Sequence, residues 1–298
     1  MELRVLRYFL TVAQEGNISA AAQTLHLTQP TLSRQLHDLE IELGVTLFLR
    51  GKREITLTEE GILFQERAQE IVELADKVSQ EFKYAKEQLS GMISIGCVES
   101  MGSALLAKMM TAFHKKYPLI KFELYNNFTD EIKTRLDHGL LDIGLLMEPT
   151  NFEKFSFVRF PTLEKWGVTV PVDDPLAKYE YVQPQDLENK PLLFPVRTAV
   201  RHEILGWFGK EEHELNIVCY EALFSNSMYL VEEGMGYAIG LEGCVGSIQN
   251  PNLKFVPFYP VKSTYSVLVW KKHRTESLCV KTFIDFCVDY LKELKGAQ

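Results

Sequence analysis

The chain has 298 residues, 46% of them hydrophobic and 24% charged, the make-up of a water-soluble globular protein with room for two or three domains. Its five cysteines (97, 219, 244, 279, 287) include no CxxC pair and are odd in number, which argues against a disulfide framework and for reduced thiols in the cytoplasm; no stretch is apolar enough to span a bilayer, and MELRVLRYFL has an acid at position 2 and no long apolar core, unlike a secretion signal. A net charge of −8 excludes a broad attraction to nucleic acid, so any DNA-binding site must be local.

In chain order, Leu6, Phe9, Leu10 and Ala13 recur at helical spacing and predict a first helix. Gly16 stops it, and Asn17 or Ser19 can cap a second, SAAAQTL. HLT makes a tight turn, Thr28 is suited to cap a third helix, and Pro30 fits its first turn, where a missing N–H costs nothing. On this third helix Leu32, Leu36, Leu39 and Leu43 form one buried stripe. Arg34 lies almost opposite, flanked by Thr31 and His37, with Ser33 further round; Ile41 also points outward. Two short helices joined by a tight turn, the second with a polar front end, form the helix-turn-helix pattern. LFLRGKREITLT then places Arg50, Gly51, Lys52 and Arg53 between two short apolar runs, a hairpin with a basic tip that reads as a wing. The local positive charge therefore comes from Arg34 and the wing tip, in a segment otherwise balanced by Asp38, Glu40 and Glu42.

Thr58 caps the next segment, with Glu59 and Glu60 at the positive end of the helix dipole. Phe64, Ala68, Ile71, Ala75, Val78, Phe82, Ala85 and Leu89 are spaced alternately four and three apart, a heptad seam that Ser90 and Gly91 end. About 32 residues at ~1.5 Å each predict a rod of roughly 48 Å, and one apolar seam on an exposed rod calls for a partner helix. A second chain would also give two DNA-reading units a fixed spacing.

From residue 92 strands alternate with helices. MISIGCV, GSALLAKMMTAFHKKY, IKFELYN, DEIKTRLDHG and LLDIGLLM read as βαβαβ, a parallel sheet with helices on its faces. KPLLFPV, AVRHEILGWFG, LNIVCYE, LFSNSMYLVEEG and GYAIGLE repeat the alternation. Two late strands, LKFVPFY and TYSVLVW, precede a final helix from about Glu276. Two such halves predict a cleft at the C-terminal ends of their strands.

The run AAQTLHLTQPTLSRQLHDLEIELGVTLFLR followed by ITLTEEG, with Gln29-Pro30, Leu32-Ser33, Leu39-Glu40, Leu43-Gly44, Leu47-Phe48, Arg50, Leu57-Thr58 and Gly61, resembles the LysR-type transcriptional regulators. HGLLDIGLL and VEEGMGYAIG resemble the sensor domain of that family. The resemblance implies a winged helix-turn-helix over residues 1–57, a dimerisation helix over 58–90, and a Rossmann-like effector domain over 91–298, similar to periplasmic solute-binding proteins. Its two subdomains would comprise about 91–161 with 266–298, and about 162–265, with hinge crossings near Phe160–Leu163 and Ser263–Tyr265. It further implies a homodimer, commonly a homotetramer, on imperfect palindromes in double-stranded promoter DNA, contact with RNA polymerase, and a small-molecule co-inducer, with no cofactor and no membrane partner.

The candidate DNA-reading residues are Gln29, Thr31, Ser33 and Arg34 in the major groove, with Arg50, Lys52 and Arg53 on phosphate or minor groove; Arg34 suits a guanine edge or a phosphate equally. The candidate effector-binding residues are Glu99, Ser100 and Met101 in the loop after the first strand, Met147 and Glu148, Pro195, Val196 and Thr198, and Ser225 and Asn226. The helix N-terminus after VESMG favours an anion. Glu99 opposes one unless it points away or pairs with Arg197 or Arg201, so an amine or neutral ligand is as credible as a carboxylate. Catalysis finds no support: GxSxG, HExxH and Walker loops are absent, and GMGYAIG leads from helix to strand, the wrong order for a dinucleotide loop. The rival readings are a redox-sensing regulator using Cys219 and Cys244, and a solute-binding protein without regulatory role.

Overall fold

A computed structural model describes residues 1–50, 55–83, 89–148, 150–243 and 250–296. The chain divides into two compact units, Met1–Tyr84 and Ala85–Gln298.

The first unit is built from helices α1 (Leu3–Glu15), α2 (Ile18–Thr24), α3 (Gln29–Leu43) and α4 (Glu59–Lys83), with strands β1 (Phe48–Arg50) and β2 (Ile55–Leu57) paired antiparallel. Each boundary has a local cause. Gly16 ends α1 in the left-handed region, and Asn17 rather than Ser19 caps α2, its Oδ1 accepting from the N–H of Ser19 at 2.8 Å and of Ala20 at 3.1 Å. Thr28 caps α3 and Thr58 caps α4, the latter accepting from Gly61 N–H at 2.9 Å. Gly61 is needed for packing: a Cβ there would sit 2.1 Å from the carbonyl oxygen of Leu47. The core joins Val5, Leu6, Phe9 and Val12 of α1 to Leu32, Leu36 and Leu39 of α3 and to Ala68 and Val72 of α4. Val12 thus takes the buried place expected of Ala13, and Leu43 leaves the expected leucine stripe, being 36% exposed at the last turn of α3.

The seam expected along α4 is divided. Ala68 and Val72 are buried against α1 with Phe64 packed beside them, whereas Ile71, Leu74 and Val78 are exposed. Arg7 of α1 forks onto Asp76, tying the two helices along the same face. Leu89 packs against the core of the second unit instead of extending the seam, and Ala85 lies outside the described residues, as does the Phe82 side chain.

The second unit contains β3 (Gly91–Cys97), α5 (Gly102–Lys116), β4 (Ile120–Asn126), α6 (Thr129–Asp137), β5 (Ile143–Met147), β6 (Phe155–Pro171), β7 (Leu192–Pro195), α7 (Thr198–Phe208), β8 (Ile217–Glu221), α8 (Phe224–Glu232), β9 (Tyr237–Leu241), β10 (Leu253–Pro257), β11 (Ser263–Lys271) and a terminal helix, α9 (Leu278–Gly296). The sheet runs β4-β3-β5-β11-β6-β9-β7-β8, with β10 also on β6. Both expected triads exist: β3 is parallel to β4 and β5, and β7 is parallel to β8 and β9. The 17-residue β6 was not expected from the sequence. It pairs antiparallel with β11 along one half and with β9 and β10 along the other, so β6 and β11 carry the chain between two lobes. The β6–β11 register shifts between Tyr265 and Val267, where β6 passes from one lobe to the other.

Candidate functional site

The exposed edge of α3 is set by its buried stripe. With Leu32, Leu36 and Leu39 at 2% exposure or less, Gln29, Thr31 and Arg34 stand on the solvent side and Ser33 is half-buried. The Arg34 side chain is 83% exposed, with Asp38 at 3.9 Å one turn on. The Thr31 hydroxyl lies 2.7 Å from that of Thr28, so the capping residue also orients a candidate reader. Glu40, which the sequence suggested only as a balancing charge, accepts from the N–H of Leu47 at 2.7 Å and of Phe48 at 3.2 Å and thereby holds the start of the hairpin. Lys52 and Arg53 lie outside the described residues, and of Arg50 only the backbone, in β1, is described.

In the second unit a cavity of about 120 Å³ opens where β3, β5, β7 and β8 end and α6 and α8 begin. Topology places it there, since loops from both lobes converge at the C-terminal ends of parallel strands. Of the expected lining, Glu99, Met147, Glu148, Pro195 and Val196 face this cavity, and Ser100, Met101, Thr198, Ser225 and Asn226 do not. Ser100 is buried beneath it, 3.1 Å from the Ser266 hydroxyl. Met101 precedes α5, and Thr198 and Asn226 are exposed. Ser225 acts one step back: its N–H and hydroxyl donate to Glu99 at 3.1 and 2.7 Å. Glu99 from one lobe therefore occupies the N-terminal turn of α8 in the other, the place that a helix dipole offers an anion.

The expected pairing of Glu99 with Arg197 or Arg201 gives way to other partners. Arg197 donates from Nε and Nη2 to Asp130 of α6, at 2.8 and 3.2 Å, a second clasp between the lobes. This hydrogen bond holds the Asp130 carboxyl below its ordinary pKa. Arg201 meets Glu212 at 3.1 Å and lies over the Tyr220 ring. The end of α5 that was expected to welcome an anion also has an internal carboxylate. Glu164 of β6 is fully buried; its Oε1 accepts from Ser266 Oγ at 2.9 Å, and the N–H groups of Met101 and Gly102 act on the same carboxyl. Oε2 meets no partner within hydrogen-bond geometry, and burial raises the pKa.

Several lining residues were not singled out in the sequence, namely Phe128, Trp166, Phe224 and Glu221, and Arg197 was named only as a possible partner of Glu99. Glu221 ends β8 with its Oε2 buried and without a hydrogen-bond partner; burial, then the Glu99 charge, push its pKa up to about 7. A signal was available, because Glu99, Glu148 and Glu221 each follow or end an apolar strand. Gly240 lets the Phe224 ring lie against the backbone of β9, since a Cβ would come within 1.9 Å of that ring.

Comparison with known proteins shows the family of both units. Residues 3–62 match the model of the bacterial regulatory helix-turn-helix protein, lysR family, and residues 86–292 match that of the LysR substrate binding domain. The chain is 32% identical over 279 residues to the Hca operon transcriptional activator HcaR of Escherichia coli (strain K12), covering 91% of this chain and 92% of the relative. The chain belongs to the LysR family of transcriptional regulators. The HTH-type regulator BsdA of Bacillus subtilis (strain 168) is also 32% identical, over 80% of this LysR chain and 83% of its own. Full-length CbnR bound to its target DNA is similar in fold, with a TM-score of 0.76 at 24% identity over 96% of this chain and 98% of that one. Full-length BenM gives 0.56 at 27% identity over 100% and 97%.

This LysR protein is accordingly a DNA-binding transcriptional regulator with an effector-binding domain, in a family of regulators rather than enzymes. A solute-binding protein without regulatory role is overturned by the helix-turn-helix match. For the redox alternative, Cys219 is a half-buried free thiol and Cys244 lies outside the described residues. Burial pushes the Cys97 thiol up to about 12 and raises that of Cys287 as well, which makes both poor nucleophiles at neutral pH. Among the described residues no helix is long and apolar enough to cross a membrane.

Proposed function

We propose that this regulator works as a homodimer, assembling further to a tetramer, that sits on a promoter palindrome and changes its grip on DNA when a small co-inducer fills the cleft. Residues 1–57 read DNA, 58–90 pair the chains, and 91–298 sense the effector. The sensing lobes comprise about 91–161 with 266–298, and about 162–265. The observation that carries this reading is the cavity between two lobes linked by two strands and two polar clasps, Glu99–Ser225 and Asp130–Arg197. A ligand that alters those clasps acts on the lobe angle, which is how a local binding event becomes a rearrangement.

Gln29, Thr31, Ser33 and Arg34 enter the major groove, and Arg50, Lys52 and Arg53 hold phosphate or minor groove. Arg34→Ala is expected to weaken binding by about 1–3 kcal/mol and relax preference at one base pair if Arg34 reads a base. Loss of the wing cations lowers affinity for all sequences and flattens its salt dependence. Fluorescence anisotropy on promoter fragments across a salt series checks both. A slope unchanged by loss of Arg50, Lys52 and Arg53 would remove the wing from the interface.

A further inference from the structure

The cleft distributes its charges unevenly. Among its described lining residues Arg197 is the one cation, and its guanidinium is engaged by Asp130 through two hydrogen bonds. Glu148 is paired with Arg159, which also lies over the Tyr265 ring. The first turn of α8 is engaged by Glu99 and that of α5 by Glu164. Two further carboxyls line the cavity beside Asn127 and Thr129: Glu99, whose oxygens accept from Ser225, and Glu221, with a buried oxygen that meets no hydrogen-bond donor.

The walls complete the chemistry. Val98, Phe128, Met147, Trp166, Val196 and Phe224 present apolar and aromatic surface. An engineered apolar cavity of about 150 Å³ admits benzene, so a space of about 120 Å³ suits a body of one ring or less. Aromatic faces beside carboxyls favour a cation. A ligand carboxylate would meet the Glu99 charge and, once Glu221 has ionised above about 7, a second like charge.

We propose that the effector is a protonated amine on a compact apolar body, received by Glu221 and Glu99, and that carboxylates are refused. The proposal rests on the cleft being the effector site. The amine donates to the Glu221 carboxyl, which receives no hydrogen bond from the protein at its buried oxygen. It also stabilises the ionised form of Glu221, so binding releases a proton from that carboxyl. The other charged groups around it, Glu99, Glu148 and Arg197, are already in polar contacts within the protein. The first turn of α7 carries no acidic residue and is where a carboxylate would have to bind if it were accepted.

The test is calorimetric titration of the full-length protein with benzylamine and with benzoate as class probes. Benzylamine is expected to bind and benzoate to give no heat. Benzylamine affinity should rise about tenfold between pH 6 and pH 8, as Glu221 ionises through about 7. Glu221→Gln should weaken benzylamine at least about tenfold and remove the pH dependence, since one charge-assisted hydrogen bond is lost. Ala222→Trp, which puts bulk into the cavity lining, should abolish binding. Benzoate binding that Ala222→Trp blocks, with benzylamine silent, overturns the amine assignment and leaves the cleft as the effector site. Benzylamine binding that survives Ala222→Trp, or silence from both probes, overturns the amine assignment together with the cleft reading.

Discussion

At the scale of the residue, Glu221 makes the sharpest claim. Its pKa is raised to about 7 by burial and by the charge of Glu99, against an ordinary carboxyl value of 4.5. Between those two values the unfolded chain has released a proton that the folded chain keeps. The stability contributed by the neutral group is full below the lower value and is lost as pH rises through the upper one. Glu221→Gln is therefore expected to leave the protein more stable than its parent at pH 8, by an amount on the order of a few kcal/mol, with the gap closing toward pH 5. Melting curves across that range check the sign; a gap that widens on acidification would contradict it. Glu40 is a second residue whose role is local. Glu40→Ala leaves the N–H groups of Leu47 and Phe48 without their acceptor and should cost about 1–3 kcal/mol of thermal stability. Glu99 was legible as a strand-end acid in a candidate pocket, but its partner was not. Ser225 is 126 positions away, and sequence spacing carries no information about which groups meet across a cleft.

At the scale of the element, α4 shows how one apolar pattern can serve two surfaces. Its heptad spacing predicted a single seam, yet Ala68 and Val72 face α1 while Ile71, Leu74 and Val78 are exposed. Both stripes satisfy helical periodicity, and only the packing of α1 decides which is taken. The open stripe is the surface that dimerisation would cover. Ile71→Glu with Val78→Glu should yield a monomer with a folded first unit, whereas Ala68→Glu, which puts a charge into the core, should unfold that unit. Size-exclusion chromatography with light scattering and circular dichroism separate the two outcomes. Strand β6 is the converse case, an element the pattern did not reveal. Phe155, Phe160 and Glu164 are buried at uneven spacing, and Gly167–Val170 are then buried continuously. The strand serves two lobes in turn, so its alternation changes phase and no single period describes it.

At the scale of the whole effector unit, the two lobes are joined by β6 and β11 and clasped by Asp130–Arg197 and Glu99–Ser225. The Asp130 side chain is 56% exposed, so water screens its ion pair and the clasp adds little to global stability, below about 1 kcal/mol. Its effect belongs to the opening equilibrium instead. Arg197→Ala is expected to raise hydrogen exchange in the first turn of α6 and the β7–α7 loop, with little change in melting temperature. Exchange that rises uniformly across both lobes would show a structural role in place of a clasp.

The described helices and strands of the first unit, the two parallel triads and the family itself were present in the sequence. They depend on local chemistry: capping oxygens at Asn17, Thr28 and Thr58, a leucine stripe at helical spacing, and apolar runs punctuated by glycine and proline. Tertiary structure alone decided the rest. It set the phase of β6, the division of the α4 stripes, the burial of Glu164 at the lobe crossing, and the joining of Glu99 and Glu221 around one cavity, with Ser225 holding Glu99. These depend on contacts between residues far apart in the chain, and a carboxylate acquires its charge state and its ligand preference from the neighbours that such contacts bring to it.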